Sequence, residues 1–397
     1  MDETGPAEAK LLELAASTAS NFRMMMEVQK YKAGRPKIDM NVEDDPDLLA
    51  LARRAAEGGY AVEFNISIYF ILYVLFFRLT SDRKIMPWIE AGPSSSSGGR
   101  PGWLGRYWPG SRGPKKSGPS FEAVWEATTP SDRPMDWGTL RTVLDPAWAD
   151  DFWDAAGCAD AGTLRGRIAH WMTEQAVQFL LAHEARHVLA GHVDYMKDKF
   201  GFTELNVSGA TAKENHRAVE ADADIYAIQY LLISLLATRK TKREKDAPAL
   251  ACMREDWHVL FVATLCVATV FYVLDSPDKP LKVSPYAKHP SFMVRRLFTF
   301  MQTNRLVHAL GIDSIGYRDE KAREEVTIAT VLWIQAEGLL AHLFGDEDPR
   351  AMQLADNMDE ADREINQLID SLKHVYKELE RYAYIQNLVQ YFGTSNG

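Results

Sequence analysis

Residues Thr163 to Leu189 read TLRGRIAHWMTEQAVQFLLAHEARHVL, and this stretch decides the fold. Apolar residues recur along it at helical spacing, which predicts one long helix. Near its end stands His183-Glu184-Ala185-Arg186-His187. Side chains four apart stack on one helix face, so both imidazoles can reach a single ion. Glu184 then lies beside that ion without ligating it, placed to take a proton from water. Five residues alone are only suggestive, because helices rich in His and Glu also produce the pattern.

A hydrolytic zinc site needs three protein ligands and one open position. About thirty residues on, Arg217-Ala218-Val219-Glu220-Ala221-Asp222-Ala223-Asp224-Ile225-Tyr226-Ala227 begins a second helix, predicted over Lys213 to Lys240. Glu220 and Asp224 share a face of it. Glu220 completes a two-histidine, one-glutamate set, and Asp224 can take the free ring N–H of a ligating histidine and fix its tautomer. The competing reading is a solvated acidic face. Against it stand Ala221, Ala223 and Ala227, small enough for close helix packing, and Tyr226, Leu231 and Leu232, which suggest burial.

Outward from these motifs the chain reads as mainly α with a small β element. Further helices are predicted over Glu255 to Leu274 and Pro290 to Leu310, and Val326 to Leu343 continues the core. A charged amphipathic tail follows Asp346-Glu347-Asp348-Pro349. Toward the N-terminus a helix is expected around Ala7 to Gln29, and another over Leu48 to Ala56, capped by Asp47. Residues 91–120, AGPSSSSGGRPGWLGRYWPGSRGPKKSGPS, are dominated by Gly, Pro and Ser and read as a flexible insertion. Phe121 to Thr129 alternates in strand fashion, and Leu140 to Leu144 reads as another short strand. The domain plan is thus a helical region over 1–90, the insertion over 91–120, a core over 121–345 and a helical tail over 346–397.

Two apolar runs need weighing as membrane segments: Ile66 to Phe77 (ISIYFILYVLFF) and Val259 to Leu274 (VLFVATLCVATVFYVL). Both fall short of the ~18 or more residues that a span needs, and polar residues bound them. They are expected to be buried core. Membrane attachment, if any, is peripheral rather than integral. The 55 acidic against 45 basic residues, a net charge of -10, argue against binding driven by nucleic-acid phosphate. The three cysteines, Cys158, Cys252 and Cys266, make neither a closed disulfide framework nor a cysteine-rich zinc site. With an acidic N-terminus lacking a signal pattern, the expected location is cytoplasmic.

H-E-x-x-H followed by R-x-x-E-x-x-A-D-x-x-A resembles the gluzincin zinc metallopeptidases of the Ste24/HtpX type. His192, nine residues after His183, lies where those peptidases often carry another histidine. His289-Pro290-Ser291-Phe292-Met293-Val294-Arg295 resembles their H-P-x-x-x-x-R element, and the three motifs keep the family's order. Arg186 stands where that type usually has glycine, and its several membrane spans have no counterpart here. His187-Val188-Leu189-Ala190-Gly191-His192-Val193-Asp194-Tyr195 is closer in style to the phage-exclusion peptidases of the Lit family, and the similarity covers roughly residues 165–300.

The resemblance implies a zincin-like core and one Zn2+ per chain, held by His183, His187 and Glu220. It implies Glu184 as the base for peptide-bond hydrolysis and His289 as oxyanion donor. Asp224, Arg295 and His192 would support the ligands, and the partner would be a protein or peptide substrate, with cleavage of a phage-exclusion type conceivable. An extended substrate would pair with an edge strand, for which Phe121 to Thr129 is the candidate. Two other readings remain open: a zinc-binding regulatory or defence sensor with little turnover, and a helical interaction protein without metal.

Overall fold

The computed structural model describes residues 34–43, 50–80, 164–201, 210–241, 256–274, 290, 292–309, 328–344 and 358–385, with a few single positions between 16 and 31. The chain is mainly helical with one small sheet. Strands β1 (Ile38–Glu43), β2 (Ala50–Arg54) and β3 (Tyr60–Asn65) precede helices α1 (Ile66–Leu79), α2 (Leu164–Leu189), α3 (His192–Phe200) and α4 (Ala210–Thr241). Helices α5 (Asp256–Leu274), α6 (Phe292–Ala309), α7 (Ile328–Phe344) and α8 (Met358–Leu379) follow. The strands expected over Phe121 to Thr129 and Leu140 to Leu144, and the 91–120 insertion, lie outside the described residues.

The sheet order is β1-β3-β2, with β1 parallel and β2 antiparallel to the central β3. The helix expected over Leu48 to Ala56 is therefore replaced by strand β2. The sequence ALARR has good helix formers, but pairing overrides that propensity. Ala52 is fully buried opposite Val62, and Arg53 Nε donates to Glu63 at 2.9 Å across the strands. The β2–β3 turn uses Gly58 and Gly59 at φ of 88° and 87°. A Cβ on Gly59 would stand 2.8 Å from the Lys37 carbonyl, where β1 comes alongside.

Both apolar runs are core helices. Every described side chain of α5 from His258 to Leu274 is buried, and α5 packs against α2, α4, α6 and α7. Its Thr264 and Thr269 hydroxyls donate to the carbonyls of Leu260 and Leu265, so the polar groups are satisfied inside the helix. Helix α1 is buried against α2. Among the described residues no helix is long and apolar enough to cross a membrane. Cys266 is buried in α5 with its thiol against the Met172 carbonyl.

Helices α2 and α4 pack against each other, and the alanines that the sequence singles out, Ala221, Ala223 and Ala227, are all fully buried. Helix α8, from the segment expected as a charged tail, lays Ala361, Ile365, Leu368, Leu372, Val375 and Leu379 against α4 and α3. Those steps of three and four make one apolar stripe. Arg217 pairs with Glu364, and Ser371 donates to Glu214 at 2.8 Å, so polar contacts flank the stripe.

Gly191 separates α2 from α3 at φ 77°, and a Cβ there would stand 2.5–2.6 Å from Tyr382. This close approach lets the Tyr384 N–H donate to the Leu189 carbonyl at 2.9 Å and satisfy the end of α2. Chain termination of the central helix thus depends on the segment after α8.

Candidate metal centre

Helix α2 carries His183 and His187 one turn apart, and α4 brings Glu220 across from them. The two Nε2 atoms are 3.1 Å apart. His183 Nε2 is 3.3 Å from Glu220 Oε2, and His187 Nε2 is 3.3 Å from Glu220 Oε1. A tetrahedral ion with bonds of about 2.0–2.1 Å holds its donor atoms roughly 3.3 Å apart. The spacing therefore suits one such ion. It is the one cluster of this kind among the described residues.

The donors are buried, at 6% exposure for His183, 0% for His187 and 3% for Glu220. Two imidazole lone pairs and a carboxylate facing one another out of water are costly unless a cation fills the space. In the metal-free chain a proton can do so. Burial works to lower the His183 pKa, but hydrogen bonds to Asp224 and Glu220 outweigh it and raise the value to about 10.

The tautomers follow from the outer contacts. His183 Nδ1 lies 3.0 Å from Asp224 Oδ1. Asp224 in turn takes both Nε and Nη2 of Arg295, at 2.6 and 2.7 Å. Against the penalty of burial, Arg295 and His183 hold the Asp224 pKa below its ordinary value. An anionic Asp224 keeps a proton on Nδ1 of His183, so the proton that a metal ion would displace is the one on Nε2, facing Glu220.

His187 is oriented differently, through a second ring. Its Nδ1 lies 3.0 Å from His192 Nδ1, and His192 Nε2 lies 3.1 Å from Asp222 Oδ2. Arg186 donates to Asp222 from Nε at 2.6 Å and Nη2 at 3.1 Å. Burial tends to raise the Asp222 pKa, but Arg186 and His192 drive it well below the carboxylate range. The anionic Asp222 beside His192 Nε2 favours the proton on that nitrogen, which makes His192 Nδ1 the acceptor toward His187 Nδ1. Burial, only partly offset by Asp222, keeps His192 neutral by lowering its pKa to about 4. His187, like His183, thereby turns its Nε2 toward Glu220.

No family model, curated protein or solved structure matches the chain.

The site thus stands on its own geometry. The structure brings together His183, Glu184, His187, His192, Glu220, Asp224 and Arg295, while His289 lies outside the described residues. Glu184 Oε1 is 4.0 Å from His183 Nε2, and Glu184 has 8% exposure where His187 and His192 have none. Three contributors escaped sequence reasoning. Asp222 is two residues from both Glu220 and Asp224 and so points elsewhere on the helix. Tyr376 comes from α8, and its hydroxyl donates to Asp222 Oδ1. His216, fully buried one turn before Glu220, has Nε2 3.7 Å from Glu220 Oε1. The one available signal was Arg186, a charge inside an apolar helix pattern that demands a buried partner.

Proposed function

We propose that the chain is a zinc-dependent endopeptidase with a zincin-like core, its ion held by His183, His187 and Glu220. The observation that carries this reading is the pair of Nε2 atoms facing Glu220 at 3.3 Å, each ring backed by its own outer carboxylate, with Glu184 alongside. Two imidazoles and one carboxylate are a donor set that suits zinc, and three protein ligands leave a position open. Zinc bound there supplies a Lewis acid that polarises the scissile carbonyl and acidifies water.

The protein's own part is positioning and proton transfer. Glu184 is the base: it accepts a proton from the attacking water and returns it to the leaving amine. Asp224 and Arg295 hold His183, and Asp222 and His192 hold His187, so neither ring turns as charge develops nearby. His289, from the H-P-x-x-x-x-R element, is the proposed oxyanion donor. The substrate is a protein or peptide.

Glu184→Gln separates hydrolysis from metal binding. It should retain its zinc while cleavage of a proteome-derived peptide library, read as new termini by mass spectrometry, falls by ~100-fold or more. Equal cleavage by parent and variant would remove Glu184 from the mechanism. A second reading, a zinc-holding sensor with little turnover, draws on the burial of the ligands. It expects no cleavage by the parent, with zinc bound in both proteins.

A further inference from the structure

The contacts that orient His187 begin at Tyr376 on α8, 189 residues later in the chain. Tyr376 on α8 donates to Asp222 Oδ1, Arg186 donates to both Asp222 oxygens, and His192 Nε2 reaches Oδ2. Three hydrogen bonds and the close His192 nitrogen surround this one carboxylate. None of the other polar contacts described between α8 and its neighbours, Arg217–Glu364, Ser371–Glu214, Lys199–Glu378 and Tyr195–Glu378, involves Asp222. Docking of α8 is thus spread over several contacts, but only one of these leads to the ion-binding cluster.

We propose that Tyr376 is a positioning residue of the metal centre, acting on His187 through Asp222 and His192. The hydroxyl fixes Oδ1 while Arg186 bridges the carboxylate, which leaves Oδ2 aimed at His192. His192 in turn is held with Nδ1 toward His187. The seated C-terminal helix is in this way part of the hold on the ion, and its displacement would loosen that hold. The inference deepens the metal-site reading above and rests on it.

The test is zinc release from the full-length, zinc-loaded protein into excess chromophoric chelator. Tyr376→Phe, which keeps the ring and loses only the hydroxyl, should release zinc roughly tenfold faster than the parent. Glu364→Gln weakens docking of the same helix away from Asp222, and should stay within about twofold of the parent. His192→Gln should also release faster, and the double variant Tyr376→Phe/His192→Gln should be no faster than the faster single one, because both cut one path. Asp222→Asn reads the same link should Tyr376→Phe not fold.

Parent-like release by Tyr376→Phe beside fast release by His192→Gln would overturn the proposal. So would an acceleration by Glu364→Gln equal to that of Tyr376→Phe, which would reduce the effect to generic docking. A parent that takes up no zinc at all would overturn the metal site itself and this inference with it. That outcome is distinct, because no variant would then have zinc to release.

Discussion

At the residue scale, one carboxylate decides the state of each ligating ring. Asp224 takes His183 Nδ1–H at 3.0 Å and is itself clamped by Arg295. Asp224→Asn should therefore weaken zinc binding by roughly 10–100-fold, measured by chelator competition, while leaving helix content unchanged. Two histidines set a pH dependence of opposite sign. His192, near 4 when folded against an ordinary 6.5, takes up a proton on unfolding between those values, so stability falls as pH drops through that window. His183, raised to about 10 without metal, contributes fully below 6.5 and loses its contribution as pH rises toward 10. Denaturant unfolding of the metal-free protein should be most resistant near pH 6.5. Saturating zinc, which takes the place of the His183 proton, should abolish the alkaline decline.

Residue by residue, the cluster was legible wherever a four-residue step made it so. His183 with His187, and Glu220 with Asp224, follow directly from helix periodicity. Asp222 did not, since its partners come from α2, α3 and α8 and no spacing within α4 announces them. Arg186 was visible as a charge inside an apolar helix pattern, and the structure supplies its reason in the buried pair with Asp222.

At the element scale, α2 is ended by a glycine that no other residue replaces without cost. Gly191 has φ 77°, and the backbone of Tyr382 occupies the space of a Cβ. Gly191→Ala should cost on the order of 1–3 kcal/mol or more in chemical unfolding, and it should disturb His192, the next residue. Long periodic segments were the easy part of the sequence. The predicted Thr163 to Leu189 and Glu255 to Leu274 correspond to α2 and α5 within a residue at each end. Strand β2 was misread because ALARR carries no alternation and its partner β3 decides the matter.

At the scale of the whole molecule, the cluster sits where α2, α3, α4 and α6 meet, and α8 closes behind it. The N-terminal sheet is tied in as well: Arg54 Nε and Tyr60 donate to Asp194, two residues after His192. The two most apolar helices, α1 and α5, are buried within the protein rather than offered to lipid. That burial matches what the length of the runs and the polar residues bounding them led one to expect.

The measurement that bears most directly on this account is zinc per chain in the purified protein, beside the same preparation of Glu220→Ala. About one zinc is expected in the parent and a clear loss in the variant, because Glu220 is the α4 residue that faces the Nε2 atoms of both histidines. A parent that stays metal-free after zinc is offered would contradict the metal centre. Full zinc retention without Glu220 would show that the third ligand is another residue.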